Sequence, residues 1–263
     1  MSALIHRWSR PHVFICLTLA FAAQAQSQSV WNTTTGDWST AANWSPAVVL
    51  TSGGATTLVF GGSGGYTTTN DLGDFSLNQL VFNHSAGTVT LNGSPTTNAL
   101  VFGNSSAALP AITLTGPGNT TISAPVTWNG NTAVTHGGAG TLTFSGTQTY
   151  ANGTKQTFTN AGGGTLTLAD GITYATAGSG TGLVLNLINH NSVAGSFNIG
   201  DVGGLGNATF NIGGTGAVRF NGGSANDLFA SSAVLNVLGG ATFDFNANPE
   251  TMGAISGSGT IRQ

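Results

Sequence analysis

The amino-acid sequence predicts an all-β chain that folds as a parallel β-helix, a solenoid in which successive coils stack on one another. Three observations predict this fold: short runs of β-branched and aromatic residues alternate at period two, paired glycines lie at the ends of many runs, and an apolar-Asn-apolar strand recurs. Each coil of a solenoid buries its apolar face only by stacking on its neighbours. The turn composition of this chain is uniform from end to end, as expected of a repeated coil. A β-sandwich, built from similar short strands, is the alternative.

Residues 1–25 have the pattern of a secretory signal peptide. Two arginines precede an almost entirely apolar or small run at 13–23, and Ala23-Gln24-Ala25 has the form of a cleavage site. We therefore expect the chain to be exported and to act outside the cell or at its surface. Cleavage removes Cys16, the single cysteine, so the exported part must be held together by packing and backbone hydrogen bonds.

Residues 26–50 form a tryptophan-rich segment that we expect to cap the first coil. Trp31, Trp38 and Trp44 lie among turn residues within it. Large indole rings can cover the apolar area that a first coil leaves open, and apolar ring area is usually buried. The alternative is a sugar-stacking platform, because a tryptophan face suits the face of a pyranose ring.

Residues 51–263 are predicted to form the coils of the β-helix. This segment is a succession of short β-type runs separated by Gly, Asn, Ser and Pro, and it contains no predicted amphipathic helix. The predicted strands are 58–60, 80–82, 88–91, 100–102, 112–114, 141–144, 165–168, 183–187, 196–199, 209–212, 218–220, 234–238 and 242–245.

Two recurring patterns refine this prediction. The apolar-Asn-apolar strands should point their flanking residues inward and their central residue outward, where stacked amides can align in ladders. Their central residues are Asn186, Asn198, Asn211 and Asn236, with Asp244 as a variant. The paired glycines should form tight corners with positive φ. These pairs are Gly53-Gly54, Gly61-Gly62, Gly203-Gly204, Gly213-Gly214, Gly222-Gly223 and Gly239-Gly240.

The composition excludes several classes of protein. Only 5% of the residues are charged, and beyond the signal peptide Lys155, Arg219 and Arg262 are the basic residues beside eight acidic ones. Phosphate binding requires clustered Lys and Arg, so nucleic acid is excluded as a partner. Frequent Val, Ile, Leu and Phe residues argue against disorder. No later segment has the roughly 18 uninterrupted apolar residues of a transmembrane helix.

Candidate catalytic and metal-binding residues are few. Asp71 and Asp74 form the one close acidic pair, and their Asp-Leu-Gly-Asp spacing is typical of a self-capping turn, not of the facing carboxylates that cleave glycosides. Other turn-like acids are Asp170, Asp201 and Asp227. The histidines after the leader are isolated and are expected to be solvated loop residues. They are His84, His136 and His190. We therefore expect no catalytic residue, no metal and no cofactor.

The strongest repeat lies between residues 137 and 171. A Gly-x-Gly-Thr-Leu strand is followed by a Thr-Tyr turn, a Gly-Thr pair and a second Gly-Thr-Leu. The residues of this pattern are Gly138, Gly140, Thr141, Leu142, Phe144, Gly146, Thr149, Tyr150, Gly153, Thr154, Gly164, Thr165 and Leu166. The pattern resembles the autotransporter-associated β-strand repeat, also called the passenger-associated transport repeat. The tryptophan-rich opening is similar to that of large secreted β-helical proteins with such repeats.

The resemblance implies a right-handed parallel β-helix passenger, displayed at or released from the surface of a Gram-negative-type cell and associated with its outer membrane. The function expected from it is non-enzymatic, with a structural or adhesive role; a carbohydrate-binding or polysaccharide-degrading β-helix is the alternative. The expected partners are a surface polysaccharide or a second copy of the chain. Self-association would use the C-terminal edge, because 257–261 reads as the start of another coil and predicts a bare, truncated end.

Overall fold

The structure is a computed structural model that describes residues 28–32, 35–103, 108–169, 172–174, 181–200, 205–221, 229, 231–247 and 251–263. The predicted signal peptide lies outside these residues. Three acids and two glycine pairs considered above also lie outside them, namely Asp170, Asp201, Asp227, Gly203-Gly204 and Gly222-Gly223.

The described part of the chain is almost entirely β, as predicted. Its one helical element is a 3₁₀ turn, Ala41–Asn43, and no helix in it has the length and apolar character to cross a membrane. The strands are β1 (Gln28–Trp31), β2 (Gly36–Asp37), β3 (Trp44–Ser45), β4 (Thr57–Phe60), β5 (Tyr66–Asn70), β6 (Phe75–Leu77), β7 (Gln79–Phe82), β8 (Thr88–Gly93), β9 (Leu100–Phe102), β10 (Ala111–Leu114), β11 (Asn119–Ile122), β12 (Val126–Trp128), β13 (Thr132–His136), β14 (Thr141–Phe144), β15 (Gln148–Tyr150), β16 (Lys155–Asn160), β17 (Thr165–Leu168), β18 (Ile172–Tyr174), β19 (Val184–Asn189), β20 (Phe197–Ile199), β21 (Thr209–Gly214), β22 (Ala217–Phe220), β23 (Val234–Val237), β24 (Thr242–Asp244), β25 (Ala254–Gly257) and β26 (Thr260–Arg262).

These strands form three long sheets that run along the stack. Sheet 1 has the order β25-β23-β21-β19-β16-β13-β10-β7-β4-β1-β3, sheet 2 the order β2-β5-β8-β11-β14-β17-β20-β22-β24-β26, and sheet 3 the order β18-β15-β12-β9-β6. Every pairing is parallel except that of β1 with β3. The chain thus visits the sheets in turn and returns one coil further on. This topology confirms the parallel β-helix and excludes the β-sandwich.

The tryptophan-rich segment joins this architecture directly. Its strand β1 pairs in parallel with β4 in sheet 1, and its strand β2 pairs with β5 in sheet 2. The antiparallel strand β3 then lies at the outer edge of sheet 1.

The core lies between the sheets because apolar side chains occupy every second position of the strands. Most strands show strict alternation of buried and partly exposed residues, and the in-register pairing places buried residues of successive coils above one another. One such core column in sheet 1 contains Leu58, Leu80, Ile112, Val134, Phe158, Leu187, Ile212 and Val237.

The prediction of positive φ at glycine pairs is confirmed at three of the four described pairs. Gly62, Gly214 and Gly240 have φ of 100°, 90° and 86°, a region that side chains with a Cβ rarely adopt. The pair Gly53-Gly54 differs, and the prediction is wrong there. Its corner is instead closed by backbone hydrogen bonds, from Gly53 N–H to the Ser76 carbonyl and from Thr56 N–H to the Gly53 carbonyl.

Candidate functional site

The two Gly-Thr-Leu strands of the repeat pattern stack directly on one another. Leu142 of β14 lies in register with Leu166 of β17, and Thr141 lies in register with Thr165. Both leucines are fully buried, whereas both threonines face outward. The self-similar stretch therefore forms two successive coils that meet in sheet 2.

The glycines of the pattern allow the backbone of one coil to approach the next closely. Two glycine columns run along the corner before sheet 2 and consist of Gly116, Gly138 and Gly162, and of Gly118, Gly140 and Gly164. A Cβ built on Gly138, Gly140, Gly162 or Gly164 would collide with the carbonyl oxygen of the glycine one coil earlier. Gly146 approaches the Ala124 carbonyl in the same way at the next corner.

Tyr150 packs inside the solenoid, whereas its neighbour Thr149 faces outward. Its ring stacks on Trp128, with centroids 6.0 Å apart and planes inclined by 20°, and Trp128 stacks on Phe102 at 5.4 Å. The Tyr150 hydroxyl donates to Gln148 Oε1 at 3.1 Å. Burial raises the pKa of Tyr150 well above its ordinary range, because a buried phenolate would lose its hydration. These contacts assign Tyr150 a packing role.

The three N-terminal tryptophans form a buried cluster. The ring centroids of Trp31 and Trp44 lie 4.8 Å apart in an edge-to-face arrangement, and Trp38 stacks on Phe60 at 6.3 Å. Trp38 Nε1 donates to Thr68 Oγ1 at 2.6 Å, and Trp44 Nε1 donates to the Trp38 carbonyl at 3.1 Å. All three side chains are almost completely buried, although Trp31 also borders a surface groove. This arrangement supports the cap interpretation.

An asparagine ladder runs along the outer face of sheet 1, as predicted for the apolar-Asn-apolar strands. Asn186, Asn211 and Asn236 lie in register on β19, β21 and β23. Asn211 Nδ2 donates to Asn186 Oδ1 at 2.9 Å, and Asn236 Nδ2 donates to Asn211 Oδ1 at 3.3 Å. Thr157 and Ser256 extend the ladder at either end, with hydrogen bonds of 3.0 and 3.4 Å. The amides therefore satisfy one another along the stack.

We expect adjacent rungs of this ladder to be energetically coupled. In a double-mutant cycle on Asn186→Ala and Asn211→Ala, the loss of unfolding free energy should fall short of the sum of the single losses by about 0.5 to 1.5 kcal/mol, the net contribution of one hydrogen bond. Urea unfolding followed by circular dichroism measures this coupling free energy. The matched control is Asn186→Ala with Asn236→Ala, two rungs apart. Equal coupling in the two cycles would contradict the ladder.

Two other predicted ladder positions lie in sheet 2 instead. Asn198 and Asp244 flank Arg219 in one outward column. Arg219 donates from Nε and Nη2 to Asp244 Oδ2, both at 3.2 Å, and Asn198 Nδ2 donates to the Gly195 carbonyl at 2.6 Å. Arg219 is about one-third exposed, and such partly exposed ion pairs stabilise a protein by about 1 kcal/mol or less.

A buried polar cluster, which the sequence analysis did not predict, lies at the corner between sheets 1 and 2. It consists of His136, Asn160, Asn189, Asn191 and Ser196. Asn160 Oδ1 lies 2.8 Å from His136 Nδ1, and Asn160 Nδ2 donates to the Ser196 carbonyl at 2.8 Å. The Gly164 carbonyl accepts hydrogen bonds from Asn160 at 3.2 Å and from Asn191 at 3.0 Å. The cluster therefore ties three successive coils together.

The prediction that His84 and His136 are solvated loop residues is wrong, because both side chains are fully buried. His136 is the last residue of strand β13 and lies in register with the core residue Leu114. Its side chain therefore points into the core, as that of Leu114 does. His84 Nε2 donates to the Asn119 carbonyl at 2.8 Å. His190 is exposed, as predicted. The burial of His136 could not be predicted from the sequence, because it depends on which residues of the neighbouring coils pair with it.

The burial of His84 predicts a loss of stability in mild acid. Loss of hydration lowers the pKa of His84 below its ordinary value of about 6.5, and its hydrogen bond to the Asn119 carbonyl opposes this effect only in part. As the pH falls below about 6.5, the unfolded chain therefore binds the proton before the folded chain does, and the free energy of unfolding falls. Urea unfolding at pH 7.5 and 5.5 measures this change.

The variant His84→Gln is the control for this prediction, because an amide can still donate to the Asn119 carbonyl but does not titrate. We expect the stability of this variant to depend less on pH than that of the parent protein over the same interval. The same pH dependence in both proteins would show that His84 is not the titrating group.

The two acids weighed as a catalytic pair each cap a different backbone segment. Asp71 accepts hydrogen bonds from the backbone N–H and the hydroxyl of Ser39, and Asp74 Oδ1 accepts from the Ala99 N–H at 2.9 Å. Within the described residues, no group of three His, Cys, Asp or Glu side chains is placed to hold a metal ion.

A second polar surface, which we call the threonine face, lies on the outside of sheet 2. It is formed by strands β8, β11, β14 and β17, which pair in register. Its residues are Thr88, Thr90, Asn119, Thr121, Thr141, Thr143, Thr165 and Thr167. The sequence signal for this face is the recurring Thr-x-Thr strand, as at Thr88–Thr90, Thr141–Thr143 and Thr165–Thr167.

The comparisons with known proteins identify no relative: no family model, no curated protein and no solved structure matches this chain. The similarity of residues 137–171 to a repeat family therefore rests on the residues of the repeat pattern alone.

Proposed function

We infer that this chain is a non-enzymatic, secreted or cell-surface β-helical repeat protein of the autotransporter-passenger type, with a structural or adhesive role. The asparagine ladder carries this proposal. Asn186, Asn211 and Asn236 present a long uncharged polar face whose hydrogen bonds run along the stack. Stacked amides of this kind stabilise a β-stack without any ligand. The signal-peptide pattern of residues 1–25 and the repeat resemblance support export to the cell surface.

The proposal includes two partners through which such a protein would adhere: a second copy of the chain and a surface polysaccharide.

Expression of the full chain in a Gram-negative host tests the proposal. We expect the protein outside the cytoplasm with a mass that lacks residues 1–25, bound to cell surfaces, to itself or to an insoluble polysaccharide. We also expect no release of reducing ends or unsaturated sugars from those polymers. Cytoplasmic protein that retains its leader would contradict export, and released sugar products would contradict the non-enzymatic role.

A carbohydrate-binding or polysaccharide-degrading protein is the second candidate, and one observation favours it. A groove of about 390 Å³ is lined by Val30, Trp31, Asn32 and residues 61–66. The rings of Trp31 and Tyr66 stack at 6.4 Å beside it, and the Tyr66 hydroxyl donates to the Gly61 carbonyl at 2.9 Å. Titration calorimetry with soluble oligosaccharides separates the two candidates, because saturable binding at this groove would favour the second.

A further inference from the structure

We propose that the threonine face binds ice. The proposal goes beyond the structural or adhesive role and depends only on the geometry of sheet 2. It starts from the orientation of the side chains: Val89, Thr120, Leu142 and Leu166 at the strand centres are fully buried or nearly so, and the residues on either side of each therefore face outward.

The spacing of the face is regular in two directions. Neighbouring strands of a sheet lie ~4.8 Å apart, and two residues on the same side of a strand lie ~6.7 Å apart. The four strands pair residue by residue with no bulge, so both spacings are kept from Thr88 to Thr167. These two repeats are close to those of the oxygen atoms on a prism plane of hexagonal ice.

The hydroxyl groups of the face are available to water. Among the described residues, no side-chain hydroxyl of the threonine face makes a hydrogen bond to another protein group. The amides of the asparagine ladder differ, because Asn211 and its neighbours use their donors and acceptors on one another. A threonine hydroxyl both donates and accepts, so a row of them can bond to successive waters of a lattice. The threonine hydroxyls of sheet 2 are therefore free to bond to water, whereas the ladder amides of sheet 1 are already hydrogen-bonded to one another.

The threonine face is also preorganised and neutral. A β-branched side chain has restricted χ1, so equivalent threonines on stacked strands hold their hydroxyls and methyl groups in the same orientation. This restriction lowers the entropy lost when the surface engages a rigid lattice. Strands β8, β11, β14 and β17 contain no Asp, Glu, Lys or Arg. The face thus lacks charges that would orient water around themselves instead of in an ice-like lattice.

The same observations favour ice over a flat polysaccharide. Sugar rings are usually held by exposed aromatic rings, and the one aromatic residue on these four strands, Phe144, is fully buried. Asn119 is the only interruption of the threonine pattern. Its Oδ1 accepts the Thr141 backbone N–H at 2.8 Å, which keeps β11 and β14 aligned at that point.

Ice recrystallisation inhibition and thermal hysteresis of the purified full-length protein test the proposal. We expect the protein to inhibit recrystallisation and to shape growing ice crystals. Thr143→Lys places bulk and charge at the centre of the face, and the protein concentration needed for inhibition should rise about tenfold or more. The matched control is Thr135→Lys on β13, an exposed, outward-facing threonine of sheet 1, which should leave ice activity unchanged.

Circular dichroism melting of both variants verifies that each remains folded. A parent protein without ice activity overturns the proposal, and so does an equal loss of activity in the Thr143→Lys and Thr135→Lys variants. Adsorption to crystalline cellulose or chitin that is lost only in Thr143→Lys, without ice activity in the parent, assigns the face to a polymer and also overturns it.

Discussion

Replacing Leu142 by Asp should unfold the coils around β14. Leu142 is completely buried and lies between Thr120 of one neighbouring coil and Leu166 of the other. The substitution removes about 2 to 3 kcal/mol of apolar burial and places a carboxyl group in a core that excludes water. We therefore expect the free energy of unfolding to fall by more than about 4 kcal/mol, which is rare for a single substitution.

The effect should also spread along the stack, because each coil of a solenoid is stabilised mainly by its nearest neighbours. Hydrogen exchange should show lost protection in β11 and β17 as well as in β14. Leu142→Ala is the milder variant, with an expected loss of about 2 to 5 kcal/mol that can be measured by urea unfolding.

Thr143→Asp is the matched control for this prediction, because Thr143 is the next residue on the same strand and faces outward. We expect its effect to stay within about 0.5 kcal/mol, as for most surface substitutions. If Leu142→Asp and Thr143→Asp melt alike, the inward and outward faces of β14 have been assigned incorrectly.

The alternation that makes this prediction possible could be read from the sequence, and so could the fold class. Period-two strands fix which residues of each strand point inward, whatever the sheet to which the strand belongs. The outward position of Asn186, Asn211 and Asn236 and their alignment followed from that alternation and from their near-regular spacing.

The parts of the site that could not be predicted depend on the register between coils. The sequence separation between paired residues varies along the chain, from 18 for Thr242 and Thr260 to 32 for Leu80 and Ile112. Because of this variation, the sequence does not indicate which strand stacks on which. The buried polar cluster illustrates the point: His136, Asn160 and Asn189 look like isolated polar residues until the register places them in one inward column.

The threonine face cannot be predicted from the sequence for the same reason. Threonine is frequent throughout this chain, and its preference for strands explains an outward threonine without any ligand. Only the topology shows that Thr90, Thr121, Thr143 and Thr167 form one uninterrupted column of a single sheet, and that Asn198 and Arg219 continue it.

Adding a single methyl group at Gly164 should destabilise the protein strongly. The Cβ of Gly164→Ala would collide with the carbonyl oxygen of Gly140 in the preceding coil, and the colliding atom belongs to a backbone that cannot rotate away. Overpacking of this kind costs about 1 to 3 kcal/mol. The Gly164 carbonyl also accepts hydrogen bonds from the buried amides of Asn160 and Asn191, so any shift of the backbone weakens the buried polar cluster.

We expect the total loss of unfolding free energy in Gly164→Ala to be about 2 to 4 kcal/mol, because an unsatisfied buried amide adds to the steric cost. The neighbouring Gly163 provides the control, since a Cβ at that position meets no atom within 4 Å. Gly163→Ala should be neutral or stabilise the protein by up to about 1 kcal/mol, because it restricts the unfolded chain. Equal losses in the two variants, measured by urea unfolding, would refute close approach as the reason for the glycine columns.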